Sequence, residues 1–198
     1  MSSIDRHILQ IKQKLSQIMA VDQYYLSREL DVLEGRARKD ESASWKKISS
    51  LHKVIDLSLK RYRNRAQSVP RLHFPAQLPI SSKRNEIIDS IKKDQVVIIT
   101  GETGSGKTTQ IPKICLASGL GLRGMIGHTQ PRRIAATSIA RRIAAEVGES
   151  CGQSIAYKIR FEEKTSAEPL IKVMTDGILL SETMGDPLLL AYDTIIID

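Results

Sequence analysis

The sequence predicts an α/β fold, an incomplete parallel sheet with helices on both faces, preceded by a small α-helical N-terminal region. Three observations predict it. The run QVVIIT at residues 95–100 is continuous, apolar and β-branched, the pattern of a strand buried on both faces. From residue 80 onward such strand-like stretches alternate with helical apolar patterns, as in a doubly wound sheet. Before residue 66 the apolar residues recur only at helical spacing.

Each element follows from its own residues. Ile4, Ile8, Ile11, Leu15 and Ile18 form one apolar stripe on a first helix. Asp22 is placed to cap a second helix carrying Leu26, Leu30 and Leu33, with Gly35 as its stop. A third helix runs from Trp45 to Arg61, with Trp45, Ile48, Leu51, Ile55 and Leu59 inward. These three make a helical region over 1–65, and its first stripe needs a partner to bury against. Pro70, Pro75 and Pro79 then break any helix, so 66–79 reads as a linker or as an arm along the next domain.

The α/β domain occupies 80–198. Its helices are read at 82–93, 107–118, 132–147 and 177–184, with Gly119 closing the second and Pro112 making a small irregularity inside it. Its strands are read at QVVIIT, GMIGHTQ, SIAYKIRF, LIKVMT and TIIID.

Composition narrows the function classes. Apolar residues make up 41% and aromatic residues 4%, so the core is aliphatic. No window is apolar for long enough to span a membrane, and the charged N-terminus does not resemble a signal peptide. A cytoplasmic protein is expected, and two cysteines without a CxxC spacing fit a reducing compartment. The net charge of +8 is concentrated. Residues 36–79 hold Lys/Arg at 36, 38, 39, 46, 47, 53, 60, 61, 63, 65 and 71 against acids at 40, 41 and 56, and the remainder sums to zero. Such a stretch is either a footprint for a phosphate polymer or a solvated face.

The sharpest local signal is GETGSGKTTQ at 101–110. Gly101, Gly106, Lys107 and Thr108 match the pattern G-x-x-x-x-G-K-[ST], after a strand-like run and before a helix. Glycines let backbone N–H groups close on a phosphate without a Cβ in the way, and the helix N-terminus adds positive potential. The loop residues Gly101, Glu102, Thr103, Gly104, Ser105 and Gly106, with Lys107, Thr108 and Thr109, are therefore candidates to bind the triphosphate of ATP or another NTP. Lys107 is assigned to the β- and γ-phosphates and Thr108 to Mg²⁺. Asp198 closes an isoleucine run, where the second Mg²⁺ anchor of such a site belongs; alone it would be a turn former.

In this order, GETGSGKTTQIP, TQPRRIAA, YKIRFEEKTS, MTDGILL and DTIIID resemble the first half of a DEAH-box helicase of superfamily 2, over about residues 78–198. The wording LPISSKRNEIIDSIKKDQ, GMIGHTQPRR and DQYYLSREL is similar to the bacterial HrpA subgroup. The resemblance implies a RecA-like P-loop NTPase domain, ATP and Mg²⁺ as cofactors, and single-stranded RNA as partner, with ribonucleoprotein or ribosome-associated substrates as a further class. It implies nucleic-acid contacts at Gln130, Pro131, Arg132 and Arg133, at Arg160 and Phe161 of a hook-shaped turn, and at Thr175, Asp176 and Gly177. It also implies that Arg142 stacks on the nucleotide base. Read without the family, Arg132 and Arg133 oppose their own helix dipole, which fits an external phosphate, while Thr175 or Asp176 is only a helix cap.

By the same resemblance, Glu, Ala and His should follow Asp198, and a later strand should lie between the glycine-loop strand and the Asp198 strand. The sheet is thus expected to have a gap, and the 198 residues alone to hydrolyse no ATP at a useful rate. Two other functions stay open on the residues themselves. One is a small-molecule P-loop kinase. The other is a non-catalytic RNA-binding module acting through 36–79.

Overall fold

The computed structural model describes residues 3–36 and 41–198. Arg38, Lys39 and Asp40 of the basic segment lie outside the described residues. The chain divides into two compact units, Met1–Gln67 and Ser68–Asp198.

The first unit consists of α1 (Ser3–Lys14) with a 3₁₀ turn (Leu15–Gln17), α2 (Ala20–Arg36) and α3 (Glu41–Gln67). The stripe read from the first helix is its core: Ile4, Ile8, Ile11, Leu15 and Ile18 pack on Leu26, Leu30 and Leu33 of α2 and on Ile48, Leu51 and Ile55 of α3. Ser58, buried in α3, accepts the Met19 backbone N–H at 2.9 Å and so satisfies a donor in the bend between α1 and α2. Three local readings are corrected. Asp22 lies inside the first turn of α2 rather than capping it, and Gly35 lies within α2 rather than ending it. Trp45 is partly exposed at the rim, edge-on to His7 at 5.1 Å, so it is no central anchor.

The second unit begins with an arm over 68–78. Val69 and Leu72 pack on the sheet core, and Phe74 and Leu78 on a smaller cluster around Ile80, Ile87 and Ile114. Then follow α4 (Pro79–Ser82), α5 (Arg84–Lys93), α6 (Lys107–Ala117), β1 (Met125–Gln130), α7 (Arg133–Glu146), β2 (Ile155–Ile159), β3 (Glu162–Lys164), β4 (Ile171–Thr175), α8 (Asp176–Thr183) and β5 (Tyr192–Ile196). The helix α6 runs unbroken through Pro112.

The sheet order is β3-β2-β4-β1-β5. All pairs are parallel except β2 with β3. Ile126, Ile155, Tyr157, Ile171 and Val173 face one layer, where Ala136, Ala140, Ile143 and Ala144 of α7 and Cys115 and Leu116 of α6 cover them. The alternating residues face α8. There Glu182 accepts from Lys158 at 3.3 Å, from Lys172 at 2.5 Å and from the Tyr192 hydroxyl. Burial and then the Glu182 hydrogen bond push the Tyr192 phenol pKa upward. Gly124 has a structural reason: a Cβ there would stand 2.7 Å from the Asp193 backbone nitrogen, where the chain enters β1 beside β5.

The strand read at QVVIIT is absent. Residues 97–100 carry no secondary structure, and the segment is no part of the sheet, which ends at β5. A cavity of about 680 Å³ is lined by Val96, Val97, Ile98 and Ile99 on one side and by Asp193–Asp198 on the other. The sheet itself is continuous from β3 to β5, without a central gap, and the cavity lies between its β5 edge and residues 96–99. A strand needs a neighbour to pair its N–H and C=O groups, and this segment has none.

Candidate functional site

Parallel pairing carries the site. Because β1, β2, β4 and β5 run the same way, their C-terminal ends share one edge of the sheet, with Gln130 opposite Thr175 and Lys158 opposite Met174. Ligands of open α/β sheets bind outside that edge. Pro131, Arg132 and Arg133 leave the end of β1, Arg160 and Phe161 the end of β2, Thr175, Asp176 and Gly177 the end of β4, and Asp198 the end of β5. Distant stretches of sequence thereby meet along one rim.

The glycine loop closes on itself at the start of α6. Gly104 and Gly106 take φ of 83° and 94°, backbone that other residues adopt only with strain. A Cβ on Gly106 would also stand 2.9 Å from Leu78 Cδ1. Lys107 Nζ donates to the carbonyls of Gly101 at 2.6 Å and Glu102 at 2.8 Å, with Ser105 Oγ at 3.4 Å. The ammonium therefore sits inside the loop, held by acceptors that a phosphate oxygen can replace. Thr103 is exposed on the loop, and Thr109 Oγ1 donates to the Gly106 carbonyl at 3.4 Å.

Thr108 and Asp198 line one cavity together with Lys107, and the Thr108 hydroxyl favours the ionised Asp198 carboxyl. Asp198 also accepts from Gln130 Nε2 at 2.7 Å. Burial opposes ionisation of Asp198, but the bond from Gln130 and the Thr108 hydroxyl outweigh it and hold its carboxyl below the usual range. A hydroxyl and an ionised carboxylate beside the glycine loop are hard oxygen donors, a type that fits Mg²⁺. His128 lies behind them, fully buried, with Nε2 3.1 Å from Gln130 Nε2 and 3.7 Å from Asp198 Oδ2. Burial drives its pKa down to about 4, so the ring is neutral.

The structure separates the residues named for nucleic acid into two kinds. Gln130 is buried and turned toward Asp198. Pro131, Arg132, Arg133, Arg160, Phe161, Asp176 and Gly177 are exposed. Phe161 is 90% exposed at a φ of 69°, with the Arg160 guanidinium 4.9 Å over its ring. An exposed aromatic in strained backbone with an arginine stacked on it has no packing role in this unit. Thr175 is the N-cap residue of α8, but its side chain makes no capping bond.

Arg142 stands on α7, its side chain 68% exposed, and its Nε donates to Glu146 Oε1 at 3.2 Å. Glu146, Lys113 and Gln110 are site residues that sequence reading missed. Two signals were available: a lysine at a buried position of the α6 pattern IPKICL, and an acid four residues after Arg142.

No family model matches the chain. Among curated proteins it is 44% identical over 188 residues to the ATP-dependent RNA helicase HrpA of Escherichia coli, 95% of this chain and 14% of that protein. It is 52% identical over 122 residues to HrpA of Borreliella burgdorferi, 62% of this chain and 15% of that protein. It is 47% identical over 121 residues to the ATP-dependent RNA helicase DHX33 of Drosophila melanogaster, 61% of this chain and 17% of that protein. The chain is a homologue of part of the HrpA helicases. It spans only 14–17% of the length of these relatives. Against HrpA of E. coli the match runs across both compact units, so the helical unit shares in the relationship. No helix among the described residues is long and apolar enough to cross a membrane.

Proposed function

We propose that the chain is the nucleotide-binding part of a DEAH-box RNA helicase, with a RecA-like P-loop domain over 80–198. The observation that carries this reading is that Lys107, Thr108 and Asp198, from the glycine loop and the end of β5, line one cavity. Loop N–H groups and Lys107 hold the triphosphate, and Thr108 and Asp198 hold Mg²⁺. The metal, when bound, offsets negative charge on the β- and γ-phosphates. Gln130 keeps the Asp198 carboxylate ionised and turned to the site. Arg142 offers its guanidinium face to the base, which suits loose base choice because every base has a π-face.

Arg132, Arg133, Arg160 and Phe161, with Thr175–Gly177, hold single-stranded RNA along the same edge. Contacts of arginine with phosphate position a strand without reading its sequence, so binding weakens steeply with salt. Sharing an edge between nucleotide and RNA supports coupling of one to the other. Hydrolysis and unwinding are assigned to the longer protein, of which the relatives are examples.

The test is nucleotide binding by the full-length protein in magnesium buffer. Lys107→Ala removes charge-assisted bonds of about 1.5–3 kcal/mol, so ATP affinity should fall about tenfold to a hundredfold. Unchanged affinity would end this reading. Nucleotide turnover indifferent to RNA would point instead to a small-molecule kinase.

A further inference from the structure

Behind the glycine loop, a single carboxylate gathers three groups from two helices, α6 and α7. Glu146 Oε2 accepts from Lys113 Nζ at 2.6 Å and from Gln110 Nε2 at 2.8 Å, while Oε1 accepts from Arg142 Nε at 3.2 Å. Lys113 is fully buried, yet its ammonium is satisfied: Glu146, the His73 carbonyl at 2.7 Å, and the face of Phe74 at 5.3 Å. Gln110 also donates to Thr109 Oγ1 at 2.9 Å, and its own backbone N–H to the Gly106 carbonyl at 2.9 Å. The first turn of α6, the end of α7 and the arm at His73 are thus tied through Glu146.

We propose that Glu146 is a positioning residue that holds Arg142 in the orientation needed to meet the nucleotide base and fixes that orientation to the helix of the glycine loop. The geometry of the guanidinium is the reason. Glu146 takes it by its edge at Nε, which leaves both faces free for stacking. A long exposed arginine otherwise samples many rotamers, and holding one in place spares that entropy when a base binds. Lys113 and Gln110 in turn hold the carboxylate, so Arg142 and the loop move as one body. The proposal rests on the reading that Arg142 contacts the base.

The experiment compares ATP with inorganic tripolyphosphate, each with Mg²⁺, as competitors for a fluorescent nucleotide on the full-length protein. If Arg142 stacks on the base, R142A weakens ATP between about threefold and about thirtyfold and leaves tripolyphosphate unchanged. E146Q should then show the same split, and the R142A/E146Q pair no further loss. Because E146Q leaves a buried ammonium without its counter-charge, K113M/E146L is the second variant. It removes both charges and regains thermal stability, yet keeps the loss for ATP alone. If E146Q and K113M/E146L bind ATP like the wild type while R142A does not, the proposal is overturned and the Arg142 reading stands. Losses that multiply in the R142A/E146Q pair overturn it too. If R142A itself leaves ATP affinity unchanged, the reading of Arg142 falls, and the proposal with it.

Discussion

Two stretches of this chain are written in nearly the same alphabet and end in different states. Ile171 and Val173, in β4, are wholly buried. Val96 and Ile98, in QVVIIT, are 79% and 86% exposed. Both are β-branched and apolar, and each leads into a helix, β4 directly into α8 and QVVIIT through the glycine loop into α6. The difference lies in what stands beside them. β4 pairs with β1 on one side and β2 on the other, while QVVIIT borders a cavity. β-propensity is therefore a statement about fitting a pleated, half-buried surface, and a stretch without that surface stays irregular.

The largest test of this contrast is at Ile171. Replacing it by alanine removes three methyl or methylene groups from the centre of the sheet core. The loss should be about 2–5 kcal/mol in chemical denaturation, because the packed strands around it cannot collapse to fill the hole. A loss below 1 kcal/mol, on the order of a surface change, would mean that β4 is no better packed than QVVIIT.

A second test uses acidity. His128 lies on β1 and lines the same cavity as Ile98, but its ring is sealed against water. Its folded pKa of about 4 lies below the ordinary histidine value of 6.5, because burial disfavours the charged ring. A depressed folded pKa means that the unfolded chain takes up the proton first as pH falls. Stability from this group is therefore full above the unfolded pKa and is lost between about 6.5 and about 4, with a slope of at most about 1.4 kcal/mol per pH unit. His52, in the helical unit, is shifted in the same direction by burial, so the comparison must be with a His128→Gln variant rather than with neutral pH alone. Denaturation midpoints across that window should fall more steeply for the wild type. Equal slopes would mean that water from the cavity reaches His128 as it reaches Ile98.

These contrasts also explain what could be read from the residues in advance. The three-helix core was legible because Ile4 to Ile18 and their partners sit at fixed helical spacing, a property of the local chain. The glycine loop was legible because its chemistry demands particular residues at particular steps. The shared rim of the sheet was not, since it depends on parallel register between β1, β4 and β2. Gln130 reads as one more polar residue of TQPRR, and only the fold turns it inward to Asp198. The ion pair of Lys113 with Glu146 joins residues 33 apart, and no periodicity announces it. QVVIIT shows the converse failure: a correct local preference without the neighbour that would satisfy it.

The smallest effect belongs to Ile98. In the 198-residue chain its side chain meets mostly solvent, so Ile98→Ala should change stability by no more than about 0.5 kcal/mol, as at other exposed positions. The same substitution separates two explanations of the exposed run. If QVVIIT were irregular for an intrinsic reason, the small cost would persist in any longer version of the protein. If it only lacks a partner strand, as the resemblance to helicases implies, a longer chain that supplies one should bury Ile98. The cost should then rise toward that of Ile171→Ala, about 2–5 kcal/mol. Denaturation of both variants in both chain lengths reads this directly. A cost that stays near zero in the longer chain would show that pairing is not what QVVIIT is waiting for.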